Sequence, residues 1–169
     1  MALRSLISLT FAAIAAALLA ACGGGEDGDE EERAQNYALQ VERISDHAYE
    51  TAQGSLVMLN RLSDGSVGAH AAIVELDRSS GEITADRERL ADLAPPEAGK
   101  QVADDLAFQL DSLALSLDAA AATASAVSKG GGSLHETGRS FARVVLAYQS
   151  GSAALSRALR SVVVVAAED

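Results

Sequence analysis

The stretch that decides the fold is Ser133–Ala166, SLHETGRSFARVVLAYQSGSAALSRALRSVVVVA. Leu134, Phe141, Tyr148, Leu155 and Val162 recur every seven residues, and Val145, Ser152, Leu159 and Ala166 form a second row between them. Two rows three and four residues apart make one stripe on a helix of 3.6 residues per turn. The run Val162–Val165 favours strand by intrinsic preference, yet the period passes through it unbroken and predicts helix. Ser133 and Glu136 have the spacing of a capping box, in which the serine oxygen accepts from the Glu136 N–H and the glutamate reaches back.

Upstream, the same period returns between breaks. Val102, Leu106, Leu110, Leu113, Leu117, Ala120, Ala124 and Val127 predict a third helix, bounded by Pro95-Pro96 and by Gly130-Gly131-Gly132. A residue before proline is pushed out of the helical region, whereas proline fits a helix's first turn, so this helix should begin near Pro96. The alanine-rich stretch Ala119–Ala126 allows a neighbouring helix to approach closely. A second helix is expected from about Ser66 to Ala94, with Leu76, Ile83 and Leu90 on its stripe. Ser79-Ser80-Gly81-Glu82 leaves two alternatives there: a helix continuous through Gly81, or one that kinks or restarts at a capping box from Ser79 to Glu82. The first helix carries Tyr37, Val41, Ile44 and Ala48, then Ser55 or Leu56, Leu59 and Leu62, and ends at the Asp64-Gly65 turn.

Four segments of roughly 30 residues joined by short turns predict an all-α, up-down-up-down four-helix bundle about 45 Å long. A three-helix or domain-swapped arrangement, with one helix running through a glycine-rich turn, is the alternative. The chain of 169 residues is 49% hydrophobic but only 4% aromatic and lacks Trp, so its core must be aliphatic and rich in alanine. The formal net charge of -11 repels nucleic acid and anionic headgroups, which excludes a nucleic-acid partner and a surface that lies along a membrane.

The N-terminus has a different character. Met1–Ser5 carries one positive charge, Arg4, and is followed by an apolar run from Leu6 to Ala21 interrupted only by Ser8 and Thr10. The run falls short of the roughly 20 apolar residues a spanning helix needs, and has the shape of a signal peptide. Leu19-Ala20-Ala21-Cys22 resembles the lipobox of bacterial lipoprotein signals, an aliphatic residue and two small ones before the cysteine. The resemblance implies cleavage after Ala21, with Cys22 becoming the mature N-terminus and carrying diacylglycerol in thioether linkage, its chains of the palmitate type. A single acyl chain anchors a protein only marginally, and two anchor it stably. In a cell with two membranes, lipoproteins with Gly rather than Asp after the cysteine go to the outer one, and Gly23 stands here. Residues 1–21 are thus expected to be the signal, 22–33 an acylated Cys22 with a flexible acidic tether, and 34–169 the bundle.

Chemistry-bearing patterns are sparse. His47 lies beside the stripe of helix one near mid-bundle, while His70 and His135 start the diagonal helices two and four at the end away from the tether, without a third ligand. The Glu-x-x-His pair of di-iron bundles does not occur, and neither does C-x-x-C-H. Met58 with a histidine could hold haem only in a more aromatic pocket than this composition supplies. Ser150-Gly151-Ser152 lies inside the strongest helix, and Lys129–Ser133 follows a helix instead of a strand, so neither reads as a nucleophile elbow or phosphate loop. Glu42, Asp46 and Glu50 read as a solvated face. The expectation is therefore a membrane-anchored, extracytoplasmic lipoprotein without cofactor, a non-catalytic helical interaction or scaffolding module of the cell envelope with a protein partner. The alternative is an envelope protein that binds a small ligand or a metal.

Overall fold

The computed structural model describes residues 26–130 and 133–167. The signal, the lipobox Leu19, Ala20, Ala21 and Cys22, and the first residues of the expected tether lie outside them. Four helices follow in order: α1 (Glu26–Ser63), α2 (Ala69–Asp92), α3 (Lys100–Ser128) and α4 (Leu134–Ala166), with a 3-10 turn at Glu97–Gly99. They pack as a ring, α1 on α2, α2 on α3, α3 on α4 and α4 back on α1, with a thinner α1–α3 contact across the middle. This is the all-α four-helix bundle, and α2 and α4 form its other diagonal.

Two expectations need correction. Helix α1 begins at Glu26, so residues 26–33 are helical rather than tether. Acids at a helix start are stabilised by the positive end of its dipole, and Glu31 accepts from Gln35 Nε2 one turn on, at 2.9 Å. The helices are also unequal. At 38 residues, α1 is about 57 Å long against about 36 Å for the 24 residues of α2. As for the alternatives at Gly81, α2 runs through it without a break, and Ser79 is buried instead of capping a new helix.

The turns follow their chemistry. Gly65 takes φ 78°, which an L side chain rarely adopts, and Asp64 Oδ1 accepts from the Ser66 N–H at 2.9 Å. After α2, Pro96 is extended and Gly99 closes the 3-10 turn, where Tyr37 Oη donates to the Gly99 carbonyl at 3.3 Å. A Cβ on Gly99 would stand 2.9 Å from Tyr37 Cε1, so this junction requires glycine. The Glu136 N–H meets Ser133 Oγ at 3.5 Å, the forward half of the expected capping box.

The core is largely what the periods imply, though Leu134, Ser152 and Val127 of the same stripes are only half-buried. Phe141, Val145, Tyr148, Leu155, Leu159 and Val162 of α4 are all buried, and Val162 and Val163 are helical. Leu106, Leu110, Leu113 and Leu117 of α3 face them with Leu76 and Ile83 of α2. On α1, Ser55 and not Leu56 takes the buried position. In the Ala119–Ala126 stretch, Ala120, Ala121 and Ala124 are buried, and Thr137 Oγ1 of α4 meets Thr123 Oγ1 at 3.2 Å.

Candidate functional site

The least expected core residue is Asp86, whose side chain is 0% exposed. Its place follows from the heptad of α2: Ala72, Ser79, Asp86 and Leu93 form a second row beside Leu76, Ile83 and Leu90. A carboxylate on that row is carried into the bundle by the helix that its apolar neighbours bury. An isolated charge there is costly unless paired.

His47 and Arg89 supply the pairing. His47 Nδ1 lies 2.6 Å from Asp86 Oδ2, joining α1 to α2 through a histidine whose side chain stays 44% exposed. Arg89 Nη1, one turn along α2, stands 3.0 Å from Oδ1. That separation gives strong attraction but not the alignment of a hydrogen bond, so Oδ1 has charge compensation and, among the described residues, no donor. From α4, buried Tyr148 donates its hydroxyl to Ser45, to the carbonyl at 3.1 Å and to Oγ at 3.2 Å. Burial pushes the Tyr148 phenol up to about 12, the Ser45 bond works against this, and the Asp86 and Asp46 carboxylates add to it.

Next to this centre, a groove of about 420 Å³ opens between α1 and α2, lined by Gln40, Arg43, Ile44, Arg89, Asp92 and Leu93. Arg43 is exposed there with no acid within ion-pair distance among the described residues, while Arg89 is braced from behind by Asp86. The arrangement can attract a small anion to the two guanidinium groups. Compared with protein-family models, with curated proteins and with solved structures, the chain gives no significant match.

The other histidines are not drawn in. His70 and His135 are exposed at the starts of diagonal helices, and among the described residues no three His, Cys, Asp or Glu side chains form a metal-binding group. Met58 is only partly buried against the core. Glu42, Asp46 and Glu50 lie along one edge of α1, as the solvated reading had it, but Glu42 and Asp46 are raised above the ordinary carboxylate range. Partial burial is the larger cause for both, followed for Glu42 by Asp46 and for Asp46 by Glu50.

A second surface lies on the outward side of α3. Phe108 is 73% exposed and Leu115, one heptad later, 70% exposed. Glu97–Ser128 is, among the described residues, the one helical segment long and apolar enough by length and composition to cross a membrane, with only 33% of its most apolar window buried. Its apolar content thus exceeds what packing inside the bundle uses.

Proposed function

We propose that this chain is a lipid-anchored, extracytoplasmic lipoprotein whose helical domain is a non-catalytic interaction module of the cell envelope. Anchoring is supported by the sequence Leu19-Ala20-Ala21-Cys22 behind an apolar run with the shape of a signal. Acylation of Cys22 would place the start of α1 four residues from the membrane surface, with the ends of α2 and α4 at the same end of the bundle. The membrane would be the outer one in a cell with two.

The observation that carries the interaction reading is the pair Phe108 and Leu115 on the outward face of α3. Large exposed apolar side chains on one face are characteristic of surfaces that meet another protein. Cell fractionation after metabolic fatty-acid labelling tests the anchor. Labelled wild type in the membrane fraction and unlabelled, released Cys22→Ser are expected, and label retained on Cys22→Ser would overturn it.

A second reading, a small-ligand protein of the envelope, is favoured by one feature, the groove beside Asp86 with Arg43 and Arg89 on its walls. Its test is titration of the protein with inorganic phosphate and acetate while following the His47 ring signals by NMR. Shifts that saturate and are lost in Arg43→Ala support a ligand site, and an unmoved spectrum removes it.

A further inference from the structure

Between Gln101 and Ser128 the charged residues of α3 are Asp104, Asp105, Asp111 and Asp118, without one cation. Three of these aspartates stand seven residues apart, in the same rhythm as Phe108, Leu115 and Ala122 four residues further along. Asp118 accepts from Ser80 Oγ at 2.6 Å and Asp111 lies 3.6 Å from Arg87 Nε, so this acidic row runs along the edge of α3 that borders α2. Phe108, Leu115, Ala119 and Ala122 are exposed outside that edge. An apolar row of heptad period bordered by an acidic row of the same period has the layout of one half of a helix–helix interface.

We infer that the outward face of α3 docks one basic amphipathic helix of a partner protein, with apolar residues on Phe108 and Leu115 and Lys or Arg against Asp104, Asp111 and Asp118. The inference rests on the reading of the domain as an interaction module and names the chemistry of its partner. Charge selects the occupant. A second copy of this chain would set one acidic row against another, and an anionic membrane would be repelled by the same aspartates, whereas a basic helix gains at each heptad. Arg87 neutralises part of Asp111, and among the described residues the carboxylates at both ends of the row have no cation within ion-pair distance.

The test uses the full chain in zwitterionic detergent and a synthetic peptide of roughly three heptads with leucine on one face and lysine at its flanks. Two control peptides carry the same residues scrambled, or glutamate in place of lysine. Fluorescence anisotropy should show saturable binding of the leucine–lysine peptide alone, weakening as salt rises. The Phe108→Ser, Leu115→Ser double variant should weaken it on the order of tenfold, and Asp104→Asn with Asp118→Asn should flatten the salt dependence. Leu146→Ser, which alters an exposed leucine on α4, should change nothing. Circular dichroism confirms that each variant stays folded.

Equal binding of the scrambled or acidic peptide, indifference to the Phe108 and Leu115 changes, adsorption to phosphatidylglycerol vesicles through these residues, or dimerisation that they abolish would each overturn the proposal. A photo-crosslinker placed at Phe108 in cells separates its failure from that of the module reading. A protein joined at position 108 without peptide binding leaves an interaction module with a partner of other chemistry. No adduct and no peptide binding removes both.

Discussion

His47 Nδ1 meets Asp86 Oδ2 at 2.6 Å, and this contact joins a half-exposed imidazole on α1 to a fully buried carboxylate on α2. The two ends of the pair stand in different solvents, so they do not respond alike to substitution. Removing His47 leaves the buried carboxylate with Arg89 alone, whereas removing Asp86 leaves His47 and Arg89, two side chains that water can reach.

His47→Ala is therefore expected to destabilise the bundle by about 1 to 3 kcal/mol, the usual cost of a lost hydrogen bond to a charged group. Asp86→Leu, which restores the apolar heptad row, should be neutral or stabilising, as replacement of a buried ion pair by a hydrophobic residue often is. Urea melts of both variants check the order. Asp86→Leu proving the more damaging would mean that the pair contributes net stability beyond its desolvation cost.

Glu42 and Asp46 give the pH dependence. Both are raised in the folded chain, chiefly by burial, from ordinary values of 4.5 and 3.8. Across the interval above those values the folded state holds more protons than the unfolded one, so these two groups make stability fall as pH rises. Asp64 and Glu75 are lowered, by bonds from Ser66 and Arg78, and act in the opposite direction. Comparing thermal midpoints of wild type with Glu42→Gln, Asp46→Asn between about pH 4 and pH 7 isolates the first pair. The double variant should gain on wild type as pH rises, and an unchanged difference would show that neither carboxylate is perturbed.

Tyr148 extends the argument to alkaline pH. Its phenol stays protonated up to about 12 in the folded state and ionises near 10.0 when unfolded, so the stability it confers is complete below the lower value and lost above it. Ultraviolet titration should show one tyrosine ionising later than the others, and Tyr148→Phe should remove that late step. The same variant gives up the bond to Ser45 and should cost about 1 kcal/mol.

The sequence made the bundle legible because the stripe of each helix is long. Phe141, Tyr148, Leu155 and Val162 establish a period strong enough to override the strand preference of the valine run. Asp86 is not legible as a core residue, since the apolar members of the α2 stripe are Leu76, Ile83 and Leu90. The row Ala72, Ser79, Asp86 and Leu93 carries the signal, but its polar members break the apolar pattern. The helical start at Glu26 is hidden for a related reason. Charge density suggested a solvated chain, although acids at that end of a helix are favourable. The outward apolar row of α3 was hidden in plain composition, because Phe108 and Leu115 add to hydrophobicity whether they face the core or water.

The core of α4 offers the sharpest test of the packing. Leu155 and Leu159 are buried, the latter with 1% of its surface exposed, while Arg157 between them faces solvent. Truncating a buried leucine to alanine costs about 2 to 5 kcal/mol, partly from lost transfer energy and partly from the cavity left behind, against a domain stability of about 5 to 15 kcal/mol. A surface change typically stays within about 0.5 kcal/mol. Leu159→Ala should therefore lower the urea midpoint most, Leu155→Ala nearly as much, and Arg157→Ala scarcely at all. The slopes of the three transitions should agree, because each variant exposes the same surface on unfolding. Equal losses in Arg157→Ala and Leu159→Ala would place α4 in another rotation about its axis. Tyr148 could then no longer reach Ser45.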